Sequence, residues 1–173
     1  MEKKYELTNI IKKETVFRNH KKFDIDLHRI MALKKIDDIG GVNIAKKGEF
    51  GGWIEKEENL SQEGNCWVGG EAKVLDDAKV IEDAQVYDEA TVCDHALIRH
   101  EARVYNRALI GGHAEVYGDA EVFEDATIED NAKVGEFSDI FGKAVIRGNV
   151  LVIGSAKLGG HTLLNGKQFF YED

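Results

Sequence analysis

Six histidines are the side chains of this sequence best suited to chemistry near neutral pH, because imidazole can bind a metal ion or act as a general base. They are His20, His28, His95, His100, His113 and His161. His95 and His113 are 18 residues apart, and His100 follows His95 by five residues. We therefore consider His95, His100 and His113 as candidate metal ligands, and His113 and His161 as candidate general bases.

The plainer interpretation is that these histidines are polar turn residues, since the equivalent places in neighbouring repeats hold other polar side chains. Asp77 lies 18 residues before His95, and Asn131 lies 18 residues after His113. The sequence specifies no nucleophile, oxyanion donor or carboxylate partner beside His113 or His161, and acyl transfer would need such groups. We therefore predict no catalytic residue, no bound metal and no cofactor.

A six-residue repeat must position these side chains. From Cys66 to Thr162 every sixth residue is small or short, and the series from Ala72 to Ala132 is alanine throughout. Two places after each member stands Val, Ile or Leu. A fixed period of this kind marks a solenoid. The alternation predicts one short strand and one turn in each six residues, with the alanine and the aliphatic residue facing inward.

Two cysteines fall on different parts of the repeat. Cys66 occupies an inward place and is predicted to be a small core residue, whereas Cys93 falls at a turn. Neither has a sequence partner that marks a nucleophile, and two cysteines are too few for a disulfide scaffold or a zinc module. This cysteine content fits a reducing, cytoplasmic location.

The repeat resembles the hexapeptide-repeat family, whose fold is a left-handed parallel β-helix with three six-residue units per coil. The resemblance implies an all-β chain with a triangular cross-section, and the length of the repeat gives about five to six coils. The segment GEFGGWIEKEENLSQEGNCWV at residues 48–68, with KYELTN and HRIMALKKI before it, resembles uncharacterised bacterial and prophage members. Those proteins carry a small β-rich head and are often labelled acyltransferases.

Three parts are predicted on this basis. They are a β-rich head or cap at residues 1–58, the left-handed β-helix at 59–164, and a C-terminal aromatic cap or interface tail at 165–173. An open solenoid ends in unpaired strand edges, so both ends need covering.

Surface columns follow from the same period, because a coil of three repeats stacks each residue on its equivalent in the next coil. One column holds Tyr87, Tyr105, Phe123 and Phe141, with Gly69 and Gly159 at its two ends. The next face carries Thr91, Leu109, Thr127, Val145 and Leu163 on its outward column. The aromatic rings either stack as a ladder over their own coils or are buried between subunits.

We predict that this apolar stripe is a subunit interface, because so long a stripe is unusual on the surface of a monomer. The family resemblance implies a trimer with parallel axes, and a dimer fits the stripe as well. The predicted interface residues are Tyr87, Tyr105, Leu109, Phe123, Phe141, Val145, Leu163, Phe169, Phe170 and Tyr171.

Charge restricts the partners further. The net charge is −9, and the acid lies in the repeat, where residues 66–164 hold 18 Asp+Glu against 9 Lys+Arg. A negative field repels nucleic acid and anionic lipid, so we predict no direct binding to either. Because no apolar run could span a bilayer and the start lacks a signal peptide, we also predict a soluble cytoplasmic protein.

Two functions remain to be distinguished. The first is a non-catalytic oligomeric binding or scaffold protein, whose head or subunit grooves hold a protein partner or a small ligand. The prophage resemblance suggests an accessory factor that counters a host defence, inhibits a host protein or sequesters a ligand. The alternative is an acyltransferase or a metal enzyme resembling the carbonic anhydrases of this family, with histidines at the subunit interface.

The alternative lacks parts that the family enzymes have. The unbroken repeat from Cys66 to Leu164 excludes the inserted loop of the acyltransferases, and the tail is too short for their C-terminal helix. The carbonic anhydrases need a third, upstream histidine, and none stands between His28 and His95.

Overall fold

The computed structural model describes residues 2–18, 21–38 and 40–173, so His20 lies outside the described residues. Within these described residues the chain is all β apart from one short 3₁₀ helix, Glu57–Asn59. The strands are β1 (Tyr5–Arg18), β2 (Lys21–Ala32), β3 (Ile36–Asp37), β4 (Asn43–Ala45), β5 (Phe50–Ile54), β6 (Trp67–Val68), β7 (Lys73–Val74), β8 (Lys79–Val80), β9 (Gln85–Val86), β10 (Thr91–Val92), β11 (Leu97–Ile98), β12 (Arg103–Val104), β13 (Leu109–Ile110), β14 (Glu115–Val116), β15 (Glu121–Val122), β16 (Thr127–Ile128), β17 (Lys133–Val134), β18 (Asp139–Ile140), β19 (Val145–Ile146), β20 (Leu151–Gly154), β21 (Lys157–Leu158), β22 (Leu163–Leu164) and β23 (Phe169–Glu172).

The short strands stack into three parallel sheets, which confirms the predicted solenoid. The first face runs β5-β7-β10-β13-β16-β19-β22, the second β8-β11-β14-β17-β20-β23, and the third β6-β9-β12-β15-β18-β21. Within the repeat each strand pairs with its equivalent in the next coil, as Thr91 does with Leu109. In the part of the chain that is described, no helix is long and apolar enough to cross a membrane.

The solenoid has about seven turns, more than the five to six predicted. The additional turn begins at Phe50–Ile54, where Trp53 pairs with Lys73 and Ile54 with Val74. This pairing is out of step with the later coils, and the segment lacks the recurring alanine, so the period in the sequence does not reveal it. At the other end β23 pairs in parallel with β20, and Phe169 lies beside Leu151.

The core consists of the side chains at the two inward places of each six-residue repeat. The alanines and the aliphatic residues from Val68 to Val152 are almost completely buried, and Ser138 is buried among them. Alanine recurs because the inward place next to each corner lies against the same place in the coils above and below. The aliphatic residues meet along the axis and supply most of the buried apolar surface.

Every corner of the solenoid places one residue in the left-handed backbone region. This residue recurs every six positions from Gly64 to Gly166, and half of the corners use glycine, which has no Cβ to clash. The corners without glycine are Asp76, Glu82, Asp88, Asp94, His100, Asn106, Glu124, Asp130 and Glu136, with φ between 55° and 61°. The corner conformation alone disfavours these side chains, so an interaction must offset the strain.

At eight of these nine corners the described residues show such an interaction, a hydrogen bond to the next coil. The Asp94 carboxylate accepts the backbone N–H of Gly112 at 2.9 Å, and Glu82 accepts that of His100 at 2.7 Å. The pairs are Asp76–Asp94, Glu82–His100, Asp88–Asn106, Asp94–Gly112, His100–Gly118, Asn106–Glu124, Asp130–Gly148 and Glu136–Gly154. We call this contact the corner clasp. The corner clasp gives many acidic residues of the repeat a structural role. A carboxylate at a corner accepts a hydrogen bond from a backbone N–H that would otherwise face solvent.

Two corner residues test the clasp as a matched pair. Asp94 and Glu124 share the left-handed conformation, at φ 58° and 59°. Of these two, only Asp94 forms a corner clasp within the described residues. Glycine at either position relieves the same strain, so Asp94→Gly should lower the free energy of unfolding by about 1 kcal/mol more than Glu124→Gly. Denaturant unfolding measures the difference. Equal effects would mean that the clasp adds nothing to stability.

The head is a long antiparallel hairpin, β1–β2, that extends the first face. His28 of β2 pairs with Ile54 of β5, which joins the hairpin to the first coil. Its distal half folds over the outward side of the coils, where Leu27 packs with Trp53 and Leu75 in a second apolar cluster.

The side chains of Lys4, which directly precedes β1, and of Tyr5, its first residue, close the first coil. Elsewhere each coil accepts backbone N–H groups from the coil before it, as Ala84 O does from Trp67 N at 3.0 Å. For the first coil the Lys4 amine takes this place, since Nζ lies 2.8 Å from Cys66 O, with longer bonds to Glu63 O and Gly64 O. The Tyr5 hydroxyl likewise donates to Leu60 O at 2.7 Å. The Lys4 and Tyr5 side chains thus replace a missing coil.

Candidate functional site

A cleft of about 460 Å³ lies between the small β3–β4 hairpin and the third face of the first coils. We call it the head cleft. Its hairpin wall consists of Asp38, Val42, Asn43 and Ile44, continued by Glu49 and Phe50, and its solenoid wall includes Trp67, Gly69, Gln85, Tyr87 and Arg103. Aromatic surface combined with a few polar groups is the usual composition of a ligand site.

The hairpin wall is held by its own polar groups. The Asp38 carboxylate accepts the Val42 N–H at 2.7 Å, and the Asn43 amide donates to the carbonyls of Ile36 and Ala45. Ile36 and Ala45 are buried against the main core. The described residues Asp38 and Asn43 of this wall are therefore held by bonds within the protein, a preorganisation that lowers the entropic cost of binding.

The solenoid wall carries the aromatic column. Ring centroids are 5.0 Å apart between Tyr87 and Tyr105 and between Tyr105 and Phe123, and 5.4 Å apart between Phe123 and Phe141. The planes are within 11° of parallel, so the rings form the ladder that the sequence allowed as one interpretation. Because consecutive coils are one strand spacing apart, each ring covers its neighbour.

The two glycines that flank this ladder are not equivalent. A Cβ on Gly159 would lie 2.2 Å from the Phe141 ring, so that ring already fills the space over the glycine. A Cβ on Gly69 would meet only ordinary contacts, 3.5 Å to Cδ1 of Trp67 and 3.7 Å to Cβ of Tyr87. The ladder therefore ends at Tyr87 with an unfilled place beside it, and that place opens into the head cleft.

A longer groove of about 810 Å³ follows the corner next to the ladder. Several of its polar groups already pair with one another: Arg107 donates to Asp125 at 2.7 Å and 3.0 Å, and Asn106 donates to Asp88 at 2.9 Å. The groove is shallow, and these paired groups serve the fold. The smaller head cleft is the better candidate for binding.

The imidazoles of His95 and His113 stack face to face, with centroids 4.6 Å apart and planes 11° from parallel. A metal binds along the nitrogen lone pair, which lies in the ring plane, so two parallel rings cannot both point at one ion. Within the described residues no three His, Cys, Asp or Glu side chains are grouped to hold a metal.

His100 is one of the clasp residues rather than a free ligand. Its Nδ1 accepts the Gly118 N–H at 3.3 Å, and the Arg99 guanidinium lies 2.8 Å from its Nε2. Nδ1 thus already accepts a backbone hydrogen bond, and Nε2 lies beside both the Arg99 guanidinium and the Glu82 carboxylate, which is 3.5 Å away. Both nitrogens are engaged by groups of the protein. His113 and His161 are exposed, and among the described residues neither imidazole has a carboxylate within bonding distance.

Burial raises the pKa of both thiols. For Cys93 burial and the adjacent Asp94 carboxylate raise it to about 12. Cys66 is fully buried, and its sulfur lies 3.1 Å from Lys4 Nζ; there too burial raises the pKa. A thiol attacks as its thiolate, so neither cysteine is suited to nucleophilic catalysis at neutral pH.

The predicted interface residues lie on two regions of the solenoid. The four ladder rings are half-buried, as are Leu109 and Val145 on the first face, and Phe170 packs against the core. Leu163, Phe169 and Tyr171 on the last coil are more than half exposed. The interface itself stays a prediction.

The residues of the head cleft did not emerge from the sequence as a site. Trp67 occupies an outward place next to the repeat, and the β3–β4 hairpin follows no period, so nothing in the pattern brings the two together. The signal that was present is the gap at Gly69 in an otherwise aromatic column.

No protein-family model matches this sequence, and a search of curated proteins gave no similar protein.

Proposed function

We propose that this protein is a non-catalytic binding protein that holds a small ligand in the head cleft. The observation that carries the proposal is the fixed, partly aromatic cleft of about 460 Å³ between the head and the solenoid. A volume of this size suits a small organic molecule. The described candidates His95, His100, His113 and His161, by contrast, lack the convergent geometry that metal or acid–base chemistry requires.

The same proposal includes a place among the hexapeptide-repeat proteins, with the left-handed coil that the resemblance implies. The six-residue repeat and the parallel pairing of successive coils, such as Thr91 with Leu109, support this place. Sequestration of a ligand is the version of the prophage accessory role that suits a fixed cleft best. A rigid solenoid would then serve as the frame that keeps the cleft in shape.

Two arginines provide a matched test of the head cleft. Arg103 lines it and also pairs with Glu121 at 3.2 Å, while Arg107 pairs with Asp125 in the same way but lies outside it. Native mass spectrometry of the protein purified from its expression host should detect a small bound molecule. Arg103→Ala should reduce the bound fraction several-fold, and Arg107→Ala should leave it unchanged.

The outcome that would reject the head cleft as the site is equal occupancy in both variants. Absence of any retained molecule, together with no thermal stabilisation of the protein by a small-molecule extract of the host, would reject the binding function itself.

We further propose that the ladder edge and the first face form a homo-oligomer, either a trimer or a dimer. Changing Tyr105 and Phe123 to Ser removes two of the four rings from the stripe. The variant should show a lower mass in light scattering while its circular dichroism spectrum is retained. If the assembly survives, the rings act only as a ladder that covers the coils.

A further inference from the structure

The end of the aromatic ladder at Tyr87 differs from its other end. Tyr87 stacks on Tyr105 with planes 1° from parallel, so one face of the Tyr87 ring is covered by the protein. The place beside its other face belongs to Gly69, which has no side chain. The ladder therefore has one missing rung, of the same thickness as the rungs above it.

The place left by the missing rung opens into the head cleft, and an added Cβ meets only ordinary contacts there. Gly69, Gly70 and Tyr87 all line the head cleft. At the opposite end Phe141 leans over Gly159 and leaves no such space, which shows that the ring next to a glycine can close it. At Gly69 the nearest atoms to an added Cβ belong to the pyrrole edge of Trp67 and to the Tyr87 Cβ, not to the Tyr87 ring.

Groups around the rung favour a flat ligand that also forms hydrogen bonds. The Trp67 Nε1 edge, at 3.7 Å from the Gly69 Cβ position, lies at one side, and the Gln85 amide and Arg103 guanidinium line the same wall. These groups are donors, except that the amide can also accept. Aromatic rings stack on one another in an offset, parallel arrangement, which suits a planar ring better than a puckered sugar.

Charge indicates the ionic state of the ligand. Arg103 is already paired with Glu121, whereas Asp38 and Glu49 stand on the hairpin wall without another arginine or lysine among the cleft residues to balance them. The chain as a whole carries −9. A phosphate or carboxylate would be repelled by this field, so an uncharged ligand is favoured over an anionic one.

We propose that the head cleft binds an uncharged nucleoside or a closely related planar heterocycle, whose ring stacks on Tyr87 in the place left by Gly69. This inference rests on the proposed binding function and specifies its ligand class. The heterocycle supplies acceptors for Trp67 Nε1 and Gln85, and its polar substituent lies towards Asp38 and the open side of the cleft.

The test fills the missing rung from within the chain. Gly69→Phe adds the residue type found at positions 123 and 141 of the same column, so the fold should be kept and the melting temperature should not fall. Gly69→Ala adds only a Cβ with ordinary contacts and serves as the matched control. Adenosine, guanosine and cytidine are the planar probes, and cellobiose is the non-planar one, each titrated by saturation-transfer NMR and calorimetry.

At least one nucleoside should bind the wild type, bind Gly69→Ala within about threefold of it, and bind Gly69→Phe at least tenfold more weakly. Equal nucleoside binding to the wild type and Gly69→Phe would overturn the inference, as would no binding by any nucleoside. If cellobiose binds instead and Gly69→Phe blocks it, the ligand class is wrong while the head cleft stands as a binding site. The arginine pair tests the binding function separately.

Discussion

Ala108→Leu should lower the free energy of unfolding by about 3 kcal/mol and the melting temperature by about 6–12 °C. Ala108 is 1% exposed and belongs to the inward column next to the corners, with Ala90 and Ala126 one coil away on either side. Leucine adds three carbon atoms to a place bounded by backbone of two coils. Those coils cannot separate without breaking their strand pairing, so the strain falls on the side chain and on the corner.

Ala108→Cys is the matched control, because Cys66 and Ser138 occupy the equivalent inward place of the repeat on another face of the solenoid and are fully buried. This variant should unfold within about 1 kcal/mol of the wild type. Calorimetry or denaturant unfolding gives both values. Leucine tolerated as well as cysteine would mean that the corner has free volume and that alanine is not required there.

Lys4→Met should lower the free energy of unfolding by about 3 kcal/mol. Methionine keeps the length of the stem but removes the amine that Cys66 O, Glu63 O and Gly64 O accept from. Lys4 is fully buried, so water cannot readily take over these bonds. The desolvation cost of the amine is relieved in the variant, but the unpaired carbonyls outweigh it because there are several of them.

Burial is also the main reason that the pKa of Lys4 lies below its ordinary value of 10.5. Between the lowered pKa of the folded protein and 10.5, the unfolded chain binds more protons at this residue, so stability from Lys4 rises with pH across that window. The stability advantage of the wild type over Lys4→Met should therefore be smaller below the window and grow as pH rises through it. A difference that is constant with pH would mean that the amine is not desolvated.

Lys3→Met is the control for the lysine substitution. Lys3 has a side chain 58% exposed and pairs with Glu57 at 2.8 Å on the surface, so its loss should cost less than about 1 kcal/mol. If both methionine variants unfold alike, Lys4 does not close the first coil.

The six-residue period in the sequence predicted how successive coils pair, but it did not predict how the ends of the solenoid are closed. Residues equivalent to Val68 and Ala72 recur every six positions, and that regularity specifies how each coil pairs with the next. The turn at Phe50–Ile54 pairs out of that step, and Lys4 acts from a segment without any repeat. Closure of a solenoid depends on contacts far apart in the chain, which a local pattern does not encode.

The acidic residues at the corners also have a larger structural role than the sequence predicted. From the sequence alone, the corner acids such as Asp94 have no role beyond that of a polar turn residue. The structure assigns them a geometric role in the corner clasp, which depends on the neighbouring coil. Of the head cleft, only the aromatic column and its gap at Gly69 were accessible to sequence analysis, because the opposite wall comes from the irregular β3–β4 hairpin.

One repeat of six residues forms one face, whereas three repeats form one whole coil. The difference between these two lengths decides how such a chain can gain or lose residues during evolution. Removing one complete coil, for example positions 97–114, would shorten the rod by one level, about 4.8 Å, and leave every column in line. Removing a single repeat would keep alanine and aliphatic residues in the core yet turn everything beyond the junction by one face. Tyr87 and Tyr105 would then stand on different corners, the ladder would be split and the corner acids would meet new neighbours. We therefore expect natural length variants of this protein to differ by whole coils.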